Sequence, residues 1–488
     1  MEILFNDFLC TPVNKIRDNL HKYRINTDEP VYVLFVTGSF NPIHQGHVDM
    51  MEWARAYVEA QGHIVVGGYI SASHDQYVRS TSSSEALSIS HRMRLIVKTI
   101  SKSDWLMADS WEGVGIGYPV DFTAVYIRLE NYLHKYIGRR VRLVYVSGGD
   151  KASSALAFAN KGYCAIVQRD EHDEQWLSYQ EHPQLHGKSN VFWVPRSHGA
   201  SSSKIRQGAY ELLPHGIFAV DVEPTTCNSV SLRIETQRVV EHFADGSLSH
   251  KWTEFQENVV ATFRKYFQGD VYTHSIVSGT LEDNDIDLDI WSNHKHTLSI
   301  TRCFDLGGYE QLGYIARPST PSIETQIASI PQGAYYLVDD DQVTGGTLRY
   351  IRSILPKDIQ VLGHKFHADG QIPFAEDYAD VSDFLFGAKN SGLTVLLPNG
   401  KTARVPYMLP YLNPHIRSGL PADSMWAFSL EMWQHNWAFF QDTSCTVAEL
   451  EAHGQDFALF LGATPETKLF EIVQQHIDML STIVRQLS

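Results

Sequence analysis

The chain has 488 residues, with 40 Lys and Arg against 56 Asp and Glu and a formal net charge of −16. A sequence pI near 5.8 argues against a general nucleic-acid binder, which needs a basic field to neutralise phosphates, and no apolar run approaches the ~18 residues of a membrane-spanning helix. The charge is uneven: residues 1–219 carry 22 basic and 22 acidic side chains and residues 220–488 carry 18 and 34, which suggests two units with different tasks.

In chain order, the N-terminus MEILFNDFLC has no basic run and carries Asp7 inside its apolar stretch, so it does not read as a signal peptide. VYVLFVTG (31–38) is a nearly continuous apolar run, the pattern of a parallel strand buried on both faces. A helix follows over 47–60, then a strand over 63–70 and a helix over 90–102 with Ser90 placed as its N-cap. A helix starting at Asp121 leads to a strand over 140–149, with further strands at 163–169 and 190–196. This alternation predicts a doubly wound parallel sheet. The turn-rich stretch 221–230 sets the boundary, dividing the chain into 1–222 and 223–488.

The second half is expected to hold a helix over 252–267, strands near 271–278, 286–291, 297–302, 334–339 and 359–364, and a Pro/Gly-rich loop over 390–425. A final helix is capped by Thr464 with Pro465 in its first turn. Its seam of Leu469, Val473, Ile477, Leu480, Val484 and Leu487 is a packing face, internal or between copies of the chain. The five cysteines are scattered and none forms a CxxC pair, which reads as reduced thiols of a cytoplasmic protein.

Two segments carry chemistry. TGSFNPIHQGH (37–47) follows a buried strand and opens a helix. Gly38 permits a tight turn, and amides at a helix N-terminus attract anions. His44 and His47, three apart, face the same way and can stabilise charge on a polyphosphate. No third ligand stands at a metal-site spacing, so no protein metal site is expected. In the second half, AYYLVDDDQVTGGT (334–347) is an apolar strand ending in carboxylates, then a glycine–threonine loop whose amides and hydroxyls can wrap a phosphate. The run 282–289 alternates acid and aliphatic residues, the pattern of a strand with one acidic face.

GSFNPIHQGH resembles the GxFxPxHxGH signature of the HxGH nucleotidyltransferases, specifically the nicotinamide mononucleotide (NMN) adenylyltransferases. GGYISASHDQYV (67–78), the segment 90–113, VYVSGGDKASS (144–154) and VPRSHGASSSKIRQG (194–208) follow in the family's order. The resemblance implies a Rossmann-like domain that binds ATP and Mg²⁺. Gly38, Ser39 and Phe40 would line the ATP phosphates, and His44 and His47 would hold the reacting ones. Trp111 would stack on the substrate base with Glu112 beside it. Asp150 would bind the nucleotide, and Ser202, Ser203 and Arg206 would grip the triphosphate. The stretch from Asp150 to Tyr163 is short and carries no tryptophan, which leaves NMN and a sugar phosphate both open as acceptor.

DDxxxTGGT resembles the phosphoribosyl pyrophosphate (PRPP) motif of type I phosphoribosyltransferases. It implies that Asp339 and Asp340 bind ribose hydroxyls, and that Asp341, Thr344, Gly345, Gly346 and Thr347 belong to the 5′-phosphate loop. Candidate pyrophosphate loops stand at 278–280 and 317–319. The whole chain then reads as an α/β enzyme with two doubly wound parallel sheets and a helical C-terminal tail. It would be a bifunctional enzyme of nucleotide metabolism acting on small nucleotides and phosphoribosyl compounds, without nucleic-acid or membrane partners. A second half that only senses PRPP or a nucleotide is the alternative.

Overall fold

The computed structural model describes residues 10–25, 28–82, 86–169, 173–195, 202–222, 228–234, 239–275, 281–288, 294–318, 320–339, 345–366, 377–389, 391–414 and 418–487. The first half is built on six parallel strands: β1 (Val31–Gly38), β2 (Val65–Ala72), β3 (Leu106–Asp109), β4 (Val141–Gly148), β5 (Tyr163–Val167) and β6 (Val191–Val194). Their order in the sheet is β3-β2-β1-β4-β5-β6. This is the doubly wound Rossmann order, in which the chain reverses direction between β1 and β4 and leaves a crevice at the strand ends. β2 is buried along its whole length and β1 over its first six residues, as continuous apolar runs require.

The expected helix boundaries shift for local reasons. The Asp121 side chain accepts from the Thr123 amide and caps Phe122–Tyr136. The helix expected from Ser90 is instead Ile89–Ile100, capped by Ser88, whose hydroxyl accepts from the His91 amide. Ser90 is fully buried within the first turn, where Asn413 donates to its hydroxyl.

The second half differs from the expectation of one doubly wound sheet. Its strands are β7 (Ser229–Ile234), β8 (Asp270–Ser275), β9 (Asp285–Asp287), β10 (Ile300–Phe304), β11 (Gln311–Ala316), β12 (Gly333–Asp339), β13 (Ile359–Phe366), β14 (Asp377–Asp380), β15 (Leu393–Leu396) and β16 (Thr402–Val405). Among the described residues they form three small sheets, β13-β12-β9, β14-β7-β8 and β11-β10-β15-β16. The reason lies in composition. β8, β11 and β13 are largely exposed or half-buried along their lengths, so they cannot serve as central strands covered on both faces. The stretch expected to be one loop contains the β15–β16 hairpin. Its turn runs through Asn399-Gly400, with Gly400 at φ 84°, a conformation glycine adopts without a Cβ penalty.

The C-terminal helix starts at Leu469, not at Thr464. The preceding residues form a turn in which the Thr467 hydroxyl accepts from the Thr464 amide, and Lys468 bridges to Thr446. Leu469, Val473 and Leu480 of its seam are fully buried within the chain. A second helix, Met425–Phe440, which the sequence pattern did not reveal, lies alongside.

The largest apolar core runs through both halves, from Leu34 and Met51 to Trp433 and Leu480. Two contacts draw the second half onto residues 110–117. The β10–β11 connection brings Gly307 against Ser110, where a Cβ on Gly307 would lie 3.0 Å from the serine oxygen. The C-terminal helix seats Ile483 on Gly117, where a Cβ would lie 2.0 Å from an Ile483 methyl. Four cysteines (Cys10, Cys164, Cys303 and Cys445) are buried and not in disulfides; Cys227 lies outside the described residues. Among the described residues no helix is long and apolar enough to cross a membrane.

Candidate active site

β1 ends at Gly38 and the chain turns through residues 39–44 into the helix Gln45–Ala60. The left-handed residue of this turn is Phe40, at φ 42°, not Gly38. The Phe40 ring is buried and meets the His47 ring edge-on at 4.8 Å. His44 caps the helix while His47, three positions on, reaches back, its Nδ1 accepting from the His44 amide at 3.2 Å. The two imidazoles are therefore stacked, with centroids 3.6 Å apart.

The helix Ser202–Arg206 docks on the same turn. The Ser202 hydroxyl donates to the Pro42 carbonyl at 2.8 Å. Arg206 donates to the Asn41 carbonyl and, at 3.2 Å, to the Ser203 hydroxyl. Two segments some 160 residues apart in the sequence are thus brought together.

The turn is held from below by Arg92, which sequence reasoning passed over. Its fully buried guanidinium donates to the carbonyls of Ser39 (2.7 Å), Ser73 (2.7 Å) and Leu87 (3.1 Å), and to the Asp75 carboxylate (2.8 Å). Leu87 returns a bond, its amide donating to the Asn41 side chain at 2.9 Å. The planar fork of arginine suits such divergent acceptors. The available signal was an arginine at helical spacing from the buried Ile89 and Ile96.

A cavity of about 490 Å³ opens beside this turn at the ends of β1, β2 and β4, lined by Thr37, Ser73, Glu112, Phe122, Tyr145 and Lys151 among others. The Phe122 and Tyr145 rings stack on each other with centroids 4.8 Å apart. Neither ring was singled out from sequence. They offer an aromatic wall for a planar base. Trp111 is placed differently. It is 9% exposed, sits in the core behind the sheet, and has the Arg128 guanidinium over its ring at 5.0 Å. It is not among the residues lining the cavity.

Glu112 does line it. A single π-helical turn, Trp111–Gly115, carries this side chain. Gly113 allows the turn, since a Cβ there would lie 2.8 Å from the Ala72 carbonyl oxygen. Glu112 is 3% exposed and accepts from the Thr37 hydroxyl and, at 3.3 Å, from Ser71. Burial raises its carboxyl to about 7. Asp150 follows β4 at the far side of the crevice and pairs with Arg169 at 3.3 Å.

In the second half, β12 ends at Asp339 and runs parallel between β9 and β13. Gly345 stands at φ 65° as the cap of the helix Gly346–Ile354, with Thr347 in its first turn. The described residues thus give a strand ending at Asp339, a helix opening at Gly346 and the parallel strand β13. Asp340, Asp341 and Thr344 lie outside them, as does the candidate loop 278–280. The expected acidic face of β9 is buried: Asp285 and Asp287 are completely covered, and Lys365 binds Asp285 at 2.8 Å. Charge compensation lets these carboxylates turn inward.

Residues 35–208 match the cytidylyltransferase-like family. This cytidylyltransferase-like region holds β1, the histidine turn, the cavity and the Arg206 helix. A nicotinamide/nicotinic acid mononucleotide adenylyltransferase 2 of Xenopus tropicalis is 41% identical over 81 residues, 16% of this chain and 25% of the relative. The nicotinamide/nicotinic acid mononucleotide adenylyltransferase of Oryza sativa subsp. japonica is 37% identical over 105 residues, covering 22% of this chain and 40% of its own. That of Arabidopsis thaliana is 35% identical over 123 residues, covering 25% and 48%. The chain therefore spans between a quarter and about half of these relatives' lengths. Among solved structures, Plasmodium falciparum nicotinic acid mononucleotide adenylyltransferase complexed with NaAD is 14% identical with a TM-score of 0.27, covering 39% of this chain and 94% of that one. Residues 35–208 are thus similar to cytidylyltransferase-like proteins and, over shorter stretches, to these adenylyltransferases.

Proposed function

We propose that the first half transfers AMP from ATP to the phosphate of nicotinamide or nicotinic acid mononucleotide. The observation that carries this reading is the docking of the Arg206 helix on the His44–His47 turn. It sets two imidazoles and a guanidinium around one short segment that follows Gly38, a residue lining the cavity. In this reading an oxygen of the acceptor phosphate attacks the α-phosphorus of ATP in line. The bond from the α-phosphorus to the bridging oxygen breaks, and pyrophosphate leaves with that oxygen. His44, His47 and Arg206 stabilise the charge on the transferring and leaving phosphates. The Phe122–Tyr145 wall holds the acceptor base. Mg²⁺ takes few protein ligands and is bound largely through substrate phosphates, so it would enter on ATP.

The DDxxxTGGT sequence, between a strand that ends at Asp339 and a helix that opens at Gly346, supports a PRPP-binding role for the second half, with Asp339 and Asp340 on the ribose hydroxyls. Gly345, in its left-handed conformation, would aim the helix amides at the 5′-phosphate.

Both parts are tested by product mass. Incubation with ATP, Mg²⁺ and either mononucleotide should yield the dinucleotide and pyrophosphate, and His47→Ala should abolish it. Transfer to ribose 5-phosphate instead would replace the acceptor. PRPP should bind the whole chain and lose binding in the Asp339→Asn/Asp340→Asn double variant; unchanged binding would remove the second assignment.

A further inference from the structure

Glu112 sits where a nucleotide would lie, yet among the described residues no cation is shown bonded to it. Its neighbours on β1 and β2 are hydroxyls: Thr37 and Ser71 both bond its Oε2, and Ser73 adds a third. Ser71 is the informative one. Its oxygen lies 3.3 Å from Glu112 Oε2 and 3.4 Å from Asp109 Oδ2. A serine hydroxyl has one proton to donate, so it cannot satisfy two carboxylates at once. A proton on one of the two acids would let both contacts be made at once.

Asp109 has the more varied set of donors around it. It receives the Thr11 hydroxyl at 2.7 Å and the Trp111 amide at 3.3 Å, and Arg128 lies 3.8 Å away. Glu112, among the described residues, is shown bonded by hydroxyls alone. We infer that Glu112 is a neutral carboxylic acid when an anionic mononucleotide occupies the cavity, so that above neutral pH binding at this site draws a proton onto Glu112. The inference rests on the proposed acceptor reading of the cavity. A phosphate and a base confined to about 490 Å³ with an ionised glutamate would repel it at low dielectric. A protonated one offers a donor instead, and the proton comes from the buffer.

The other charged groups around Glu112 are accounted for. From the helix Ile89–Ile100 it feels Arg92, which is engaged by Asp75; from β3, Asp109; and from β4, Tyr145, whose phenol burial raises well above its ordinary range. His74, Asp121 and Lys151 also line the cavity, and burial pulls His74 below the usual imidazole value. None of these replaces the proton at Glu112. Burial, the largest influence on Glu112, acts in the same direction.

Two measurements test this. Infrared difference spectra of the ligand-free protein, titrated from pH 5 to 9, should show one protonated-carboxyl band disappearing near neutral pH, and Glu112→Gln should lack that band. Calorimetry with nicotinic acid mononucleotide or NMN in buffers of different ionisation enthalpy should then report uptake of roughly half to one proton per ligand at pH 8. In Glu112→Gln the uptake should fall to the ligand's own contribution, and the affinity should lose its roughly tenfold decline per pH unit above pH 7. A spectrum in which wild type and variant titrate alike, or equal proton uptake by both, overturns the inference. Binding of neither mononucleotide would strike the acceptor reading, while the ligand-free spectra would still decide whether Glu112 is protonated.

Discussion

The rings of His44 and His47 lie face to face, 3.6 Å between centroids and 20° between planes. The stack is fixed by the helix start, because His47 Nδ1 accepts from the His44 amide. Replacing either ring removes donors aimed at developing charge, an effect of about 10²–10³ in kcat for one preorganised donor. His47→Ala and His44→Ala should each lose at least that in AMP transfer while melting within a few degrees of wild type. Steady-state kinetics with a thermal scan would show it.

Arg206 tethers its helix to the Asn41 carbonyl and the Ser203 hydroxyl and, in the proposed reading, grips the triphosphate. Hydrogen bonds to charged groups contribute about 1.5–3 kcal/mol, so Arg206→Ala should lower kcat/KM for ATP roughly 10- to 100-fold. Arg206→Lys should recover little, because an ammonium cannot hold the carbonyl and a phosphate in one planar fork. A lysine variant with wild-type kinetics would show that only charge matters there.

Arg92 predicts a stability effect. Substitution by Met leaves Asp75 and the carbonyls of Ser39, Ser73 and Leu87 without their donor. Breaking a buried pair by removing one partner costs about 3–5 kcal/mol. Denaturant titration of Arg92→Met should show a lower midpoint of that order, and activity should fall with it because two of those carbonyls border the site.

Asp305 should make stability depend on pH. It is buried, and burial lifts its carboxyl to about 8, against about 4 in an unfolded chain. Between those values the folded chain holds a proton that the unfolded chain has released. Stability is therefore fully present below about pH 4 and declines as pH rises toward 8. Asp305→Asn keeps the oxygen that accepts from the Glu310 amide and removes the titration. It should flatten the profile and be more stable than wild type at pH 8, by on the order of a few kcal/mol. Equal slopes for both proteins would refute the assignment.

Much of the first half was legible because its physics is local and one-dimensional. Val31–Val36 reads as a strand covered on both faces, and the structure buries each of these residues. The Asp121 cap and the His44/His47 spacing depend on neighbours within four positions. Other features depend on distant chain. Trp111 looks like a platform until Arg128 is found over its ring. Arg92 looks like any helix arginine until its carbonyl partners, brought in by two other loops, are placed around it. Phe122 and Tyr145 become a wall only once the helix Phe122–Tyr136 packs on β4. In the second half, alternation in 282–289 correctly indicated a strand, but Lys365, some 80 residues away, decides that its acids face inward. The helix Met425–Phe440 is apolar almost all round, so it has no amphipathic stripe to read.

The bracketing of residues 110–117 by Gly307 and Ile483 has a thermodynamic consequence. The wall that carries Glu112 belongs to the first half in sequence but takes its position from the second. The first half expressed alone would lose that wall's backing and expose the apolar surface now shared at the core. In the whole chain, a ligand that stabilises either half by mass action also holds the other half's groups in register. A nucleotide in the cavity should therefore protect amides of the C-terminal helix from hydrogen exchange, although it touches none of them.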